Sequence, residues 1–385
     1  MFQALTAGLP QQRQARIAVS ALFFLTGFCF FSWATRIPDI QQNLHLSEGQ
    51  LGGLLLALPI GSLLSMPAAG ALVGKYGSRQ VLLVFGLLYG LILPTLGLAG
   101  ETWILFSLLI VFGFCGNVAN IAVNTQAVFV EKMYGRSVMA SFHGLWSTGG
   151  LVGSLLAWGM QKWHVLPYQH FLVSMVIVFI ILALNINQVV RHDYQAGENE
   201  EKQPLFVLPD KFLMILGIIA FASMICEGAM FDWSGVYFRK VIHVNIAVVG
   251  TNAFMSTMAS FRFLADYLKL RFGVKRVLQL SGGLIASGLL LAVIFPYFTT
   301  AIIGFLMVGA GVSSVVPLIY SAAGRSTTMT PGMALAAVST IGYLGFLFGP
   351  VLIGLVAQVS SLRASFFLIA LMGLSIAVMS NRVKN

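Results

Sequence analysis

The sequence predicts an all-α membrane protein: twelve transmembrane helices in two six-helix bundles. Three observations carry that expectation. Hydrophobic residues make up 58% of the 385 positions, charged residues only 9%, and the mean hydropathy is +0.89. A soluble domain carries about a quarter charged residues, and so apolar a chain cannot clothe a globular surface in polar groups. Forty glycines suit helices whose backbones approach closely in lipid. Finally, the chain repeats at an offset of 196 residues, where Gly77 aligns with Gly273, Lys75 with Arg271 and Arg79 with Lys275. Gly86 aligns with Gly282, Gly113 with Gly309, Gly149 with Gly345 and Gly153 with Gly349 at that same offset. A parallel repeat of this kind implies bundles related by an axis along the membrane normal, with a solute site near the midplane between them.

A span needs about 20 mostly apolar residues. The first run, 17–35, follows polar residues that include Arg13 and Arg16 and reads as a span rather than a cleaved leader. Runs at 50–73, 80–99, 103–130, 137–160 and 168–190 complete an N-terminal bundle, 1–190. The stretch 191–211, RHDYQAGENEEKQPLFVLPDK, is charged, holds Gly and Pro, and reads as a cytoplasmic linker. Runs at 212–238, 246–268, 277–296, 299–322, 332–357 and 363–381 make the second bundle, 212–385.

The net charge of +10 has a topological reading rather than a nucleic-acid one. With the N-terminus inside, the cytoplasmic side collects the cations of 75–79, 132–136, 269–276 and 382–384, together with Arg325. The outer side receives only Arg36, Lys162, Arg239, Lys240 and Arg363, so both termini are expected in the cytoplasm. Cys29, Cys115 and Cys226 are scattered singly in apolar runs and offer neither a metal spacing nor a disulfide framework. No cofactor or metal is expected.

Residues 70–83, GALVGKYGSRQVLL, place Lys75 and Arg79 around Gly77 between two spans. Residues 266–280, DYLKLRFGVKRVLQL, repeat the arrangement around Gly273. A tight turn asks for the backbone freedom of glycine. This pattern resembles the loop signature of the major facilitator superfamily, with Gly70, Lys75, Gly77 and Arg79 matching and Gly74 standing where an Asp is expected. The second copy keeps Arg262, Asp266, Arg271, Gly273, Lys275 and Arg276. The stretches WATRIPDI, AVNTQAVFVEK, HGLWSTGGLVG and EGAMFDWS are similar to YbjJ-type bacterial inner-membrane proteins, a branch distantly similar to fucose permease. The resemblance implies a monomeric secondary transporter of a bacterial inner membrane, working by alternating access. It also implies a cytoplasmic gate at these loop residues, to which Glu131, Arg136 and Arg325 are added by their place near the cytoplasmic ends of spans.

Ionisable residues inside spans are costly and point to function. Glu227 lies about fifteen residues into span 7 and is the first candidate for carrying a proton. Asp232, nearer the outer surface, and His143, early in span 5, follow it. Asn117, Asn120 and Asn124 fall within about 60° on one helix face. Such a stripe lines a cavity and binds a hydroxylated solute, or it joins helices. Arg36 either faces that pathway or snorkels to the surface, while Trp146 and Trp233 are candidates for stacking on sugar rings. The expected partners are therefore a small-molecule solute, protons and the lipid bilayer, with no nucleic acid.

Other classes fit less well. The chain has no GxxxxGK[ST] loop for an ATP-driven pump and no HExxH, and it shows no paired catalytic groups at one depth, so an enzyme is not expected. A drug–proton antiporter would place Gly–Pro in span 5, where Gly153–Ser154 stands, whereas Gly349–Pro350 lies in span 11. A non-transporting sensor with a transporter fold is the alternative from another class.

Overall fold

The computed structural model describes residues 10–135, 138–190, 210–246, 248–323, 326 and 331–383. Arg136, Arg325 and 191–209 of the expected linker lie outside the described residues, as does the side chain of Asp266. The described chain is helical: α1 Gln11–Ala34, α2 Ile37–Asn43, α3 Glu48–Leu55, α4 Ala57–Tyr76, α5 Ser78–Leu98, α6 Thr102–Tyr134, α7 Met139–Lys162 and α8 Pro167–Asn185. After the linker come α9 Lys211–Lys240, α10 Val249–Ile294, α11 Phe298–Ala323, α12 Pro331–Val359 and α13 Leu362–Met379. Ten helices among the described residues are long and apolar enough to cross a membrane. The two remaining expected spans are α7, and the part of α10 before its kink, where Arg262, Asp266 and Lys269 lower the hydropathy.

Two compact units form, Met1–Leu44 with Ala57–Glu198 and His45–Leu56 with Asn199–Asn385. The helix α3 thus groups with the second unit although α4 follows it at once, the helix breaking at Leu56. Ser47 starts α3 by a capping box, accepting a bond from Gln50 N at 3.3 Å while Gln50 Oε1 accepts from Ser47 N at 2.9 Å. Inside the second unit α3 lies against α12 through glycine. A Cβ on Gly52 would meet Pro350 O at 2.7 Å, and one on Gly354 would meet Gly52 Cα at 2.8 Å. Gly49 N donates to Gln358 Oε1 at 3.2 Å and holds the start of the same contact.

The half repeat reappears as packing within each unit. Gly113 of α6 leaves room for Leu58 O of α4, and Gly309 of α11 leaves room for Phe254 O of α10, with both pairs offset by the repeat length. Gly149 and Gly345 do the same for Phe24 O of α1 and Phe221 O of α9. Side chains at these crossings would push the helices apart, so the aligned glycines set matching helix–helix distances. Large aromatics fill the remaining space. Trp33, Phe28, Phe112, Phe142 and Phe171 are fully buried in the first unit, and Trp233, Tyr237, Phe254 and Phe305 in the second.

Both loops singled out in the sequence turn on their glycine. Gly77 has φ 79° and ψ 149°, and Gly273 has φ 77° and ψ 159°. That backbone region is essentially restricted to glycine. In the second copy the turn is tight enough for α10 to run on through it with a kink at Gly273.

Candidate functional site

The second unit holds a charged pair deep within its spans. Asp210 starts α9 by accepting a bond from Leu213 N at 2.8 Å. From there the helix runs through an almost wholly buried stretch that includes Glu227. Arg262 comes from the first part of α10, which runs back antiparallel. Glu227 lies thirteen residues before the end of α9 and Arg262 thirteen after the start of α10. Both are therefore about 20 Å along their axes from the same end of the bundle. Arg262 Nη2 donates to Glu227 Oε1 at 2.9 Å, with the side chains 13% and 7% exposed. The charge of each is the condition for keeping the other charged at that depth.

Two more helices bring polar groups to this place. Tyr320 of α11 shares a side-chain hydrogen bond with Ser339 of α12 and lies close enough to Glu227 to feel its charge. One acid, one cation, a phenol and a hydroxyl from four helices thus form a polar cluster inside an apolar bundle. Arg262, read from sequence as a cytoplasmic gate residue, stands mid-span instead. Asp232 is half-buried on α9, with no ion pair among the described residues. Trp233 is fully buried in the core, so it does not line a pathway.

In the first unit the amide stripe divides. Asn117 Nδ2 donates to Ser62 O at 3.0 Å and Ser65 Oγ at 2.8 Å, joining α6 to α4. Asn124 Nδ2 donates to Asn120 O at 2.8 Å and Asn120 Oδ1 at 3.1 Å, and both residues stay half-buried on one face of α6. Trp146 is half-buried beside Phe30 and Phe31, at ring separations of 6.2 and 5.8 Å. His143 is exposed and stands edge-on to Phe23 at 5.4 Å.

Arg36 neither faces a pathway nor reaches the surface. It is 2% exposed and acts as a staple. Its Nη1 donates to Asp39 Oδ2 at 2.8 Å, Nη2 to Val165 O at 3.0 Å and Nε to His170 Nδ1 at 3.3 Å. The α1–α2 joint is thereby tied to the turn between α7 and α8. Sequence reading missed His170, and it also missed Gln126. The latter is fully buried and donates to Ser78 Oγ and Val190 O while accepting from Val190 N. Its place beside Asn124 in AVNTQAV was the available signal.

The cytoplasmic loop cations make local ties. Arg79 donates to Ile186 O at 3.0 Å and Asn187 Oδ1 at 2.6 Å, capping the carboxyl end of α8 in its own unit rather than reaching the opposite half. Glu131 Oε2 accepts from Val138 N at 2.8 Å and Met139 N at 3.0 Å, capping the start of α7. Lys269 Nζ donates to Ser321 Oγ at 2.7 Å, and Arg271 Nη1 to Tyr267 Oη at 2.9 Å. Lys75 lies 5.2 Å from the Tyr76 ring, Gly70 and Arg276 are exposed, and Lys275 is half-buried. No cluster of His, Cys, Asp and Glu among the described residues has the geometry to hold a metal.

Comparison with known proteins agrees with this architecture. The chain is 37% identical over 387 residues to an MFS-type transporter of Yersinia pestis, covering 99% of this chain and 98% of the relative. It is 33% identical to the transporter y4wD of Sinorhizobium fredii, covering 95% and 97%, and 30% identical to the membrane protein MosC of Rhizobium meliloti, covering 94% and 88%. Among solved structures, a D323A mutant of the nucleoside transporter NupG superposes with a TM-score of 0.80 at 12% identity, covering 97% of this chain and 99% of that one. A bacterial homologue of the human lysosomal transporter Spinster gives 0.71 at 12% identity, covering 95% of each chain. The Major Facilitator Superfamily model matches residues 19–268 and 246–381. With twelve-span architecture, half repeat, glycine turns and family match in agreement, the chain is a multi-pass membrane transporter belonging to the major facilitator superfamily.

Proposed function

We propose that this transporter moves a small hydroxylated solute, a sugar or sugar derivative, by alternating access coupled to protons through Glu227. The observation that carries the proposal is the buried Glu227–Arg262 pair at 2.9 Å. A carboxylate paired with one arginine at mid-span is a bistable element. When the pair opens during the transport cycle, an isolated carboxylate in an apolar site takes up a proton, and when the pair re-forms it releases it. Proton entry supplies about 2.3 kcal/mol per charge for each 100 mV of membrane potential, and this is the driving force for accumulation. Tyr320 and Ser339 extend the polar cluster towards the solute. Within the first unit taken by itself, Asn120, Asn124 and Trp146 are half-buried, amides and an indole of the kind that meets hydroxyls and a ring face.

The protein is read as a monomer in a bacterial inner membrane with both termini in the cytoplasm. That orientation rests on the charge bias of the loops. The cytoplasmic loops keep a gating role in this reading through the rigid turns at Gly77 and Gly273.

The test uses proteoliposomes loaded with a pH-sensitive dye. Monosaccharides, sugar acids and lipophilic cations are added singly, and nucleosides join the panel because the fold is shared with a nucleoside transporter. The expected result is a pH change with one hydroxylated solute that disappears in Glu227→Gln. A pH change of full size in Glu227→Gln contradicts the assignment of Glu227, and one elicited by lipophilic cations alone contradicts the solute class.

A further inference from the structure

A second polar site lies in the second unit, well apart along α9 from the Glu227–Arg262 pair. The end of α9, the turn after α10, the end of α12 and the start of α13 surround a cavity of about 500 Å³, together with the first residue of α3. Its lining includes Glu48, Lys240, His243, Ser360, Ser361 and Arg363. The volume falls within the range of small-molecule sites, about 300–1,000 Å³. The loop charges assign this end of the bundle to the outer side.

The cavity already binds a carboxylate, and that carboxylate is the chain's own. Lys240 Nζ lies 2.6 Å from Glu48 Oε1, with the two side chains 38% and 26% exposed. Water therefore reaches both partners, and the pair is exchangeable rather than locked. Arg363 also belongs to the lining. Its Nε and Nη2 donate to Val293 O at 3.0 and 2.7 Å, which fixes the guanidinium, while no carboxylate among the described residues pairs with its charge. The serine at position 361 starts α13 by accepting a bond from Ala364 N at 3.1 Å, so the positive end of an 18-residue helix also borders the cavity. Two cations, a helix start and two hydroxyls face one carboxylate, and that leaves the lining with an excess of positive potential.

We propose that this cavity binds the carboxylate of a small hydroxylated acid, of the sugar-acid class, in exchange for Glu48 at Lys240. The incoming carboxylate takes Lys240, Arg363 fixes its second oxygen or a neighbouring hydroxyl, and the two serines meet the remaining hydroxyls. Glu48 is the first residue of α3, so the exchange removes one of the ties that hold α3 on α12. The contacts of Gly49 with Gln358 and of Gly52 with Gly354 remain. Occupancy of the site thereby loosens α3 from its seat.

Calorimetric titration of the full chain in nanodiscs with D-glucuronate, and in parallel with D-glucose, tests the proposal. Glu48→Gln frees Lys240 and is expected to tighten glucuronate binding by about fivefold, the scale of a partly exposed ion pair. A gain of this kind does not arise from misfolding. Arg363→Gln is expected to weaken glucuronate by about fivefold on that same scale. This comparison rests on the wild type, Glu48→Gln and Arg363→Gln and on no proton movement, so failure of the transport reading and failure of this site are told apart. The proposal is overturned by equal glucuronate affinity in wild type, Glu48→Gln and Arg363→Gln, or by no binding to any of them. Equal tightening of glucose in Glu48→Gln also overturns it, because that marks a loosened helix rather than a carboxylate site.

Discussion

Glu227 and Arg262 differ in what each does when left alone. A carboxyl in an apolar site escapes its charge by taking a proton, whereas a guanidinium stays charged. The two single substitutions should therefore be unequal. Glu227→Leu strands a charged arginine and is expected to cost on the order of 3–5 kcal/mol, the range for breaking a buried pair. Arg262→Leu should cost less, and the double Leu variant should regain stability over Glu227→Leu. Thermal unfolding in detergent ranks the three, and Arg262→Leu emerging as the least stable contradicts the assigned burial. Of this site, Glu227 was legible because an acid deep in a long apolar run has no surface explanation. Its partner was not. Charges at positions 262, 266, 269 and 271 blur where span 8 ends, and no sequence pattern measures depth across antiparallel helices. Trp233 was misplaced for a related reason: in a helix buried on nearly all sides, periodicity does not separate core from pathway.

At the scale of elements, the two glycine turns are the sharpest case of sequence dictating backbone. Gly77 and Gly273 share a left-handed conformation, and any side chain there is strained by on the order of 1–3 kcal/mol. Gly74 is different, lying inside α4 with open space around its Cα. Gly77→Ala and Gly273→Ala should each lower the unfolding temperature, while Gly74→Ala should leave it unchanged or raise it, since alanine suits a helix better by about 0.5–1 kcal/mol. A drop with Gly74→Ala as large as with Gly77→Ala contradicts this account of the turns. The spans, the half repeat and the turns were readable because composition and spacing report them directly. The break at Leu56 that sends α3 to the second unit was not, because the apolar run continues through it without interruption. Nor were the roles of Arg36 and Arg79, since long cations near helix ends find backbone carbonyls that no spacing rule predicts.

For the whole molecule, transport requires that tightly seated parts separate and re-form. On the proposed reading, the seat of α3 on α12 is suited to that: glycine on both sides, one partly exposed ion pair and one amide contact. Small residues give close contact without interlocked side chains, so release costs little packing. Under the proposed coupling, the Glu227–Arg262 pair is the element that joins a proton to the solute in the cycle. Loss of the acid should uncouple the two without stopping the helices from moving. The deciding measurement follows the solute identified in the panel across proteoliposomes in two modes, accumulation driven by an imposed pH gradient and exchange at equal concentration on both sides. Glu227→Gln is expected to exchange at close to the wild-type rate while accumulating nothing. Accumulation by Glu227→Gln at the wild-type level would show that the proton travels by another route and that the buried pair is structural.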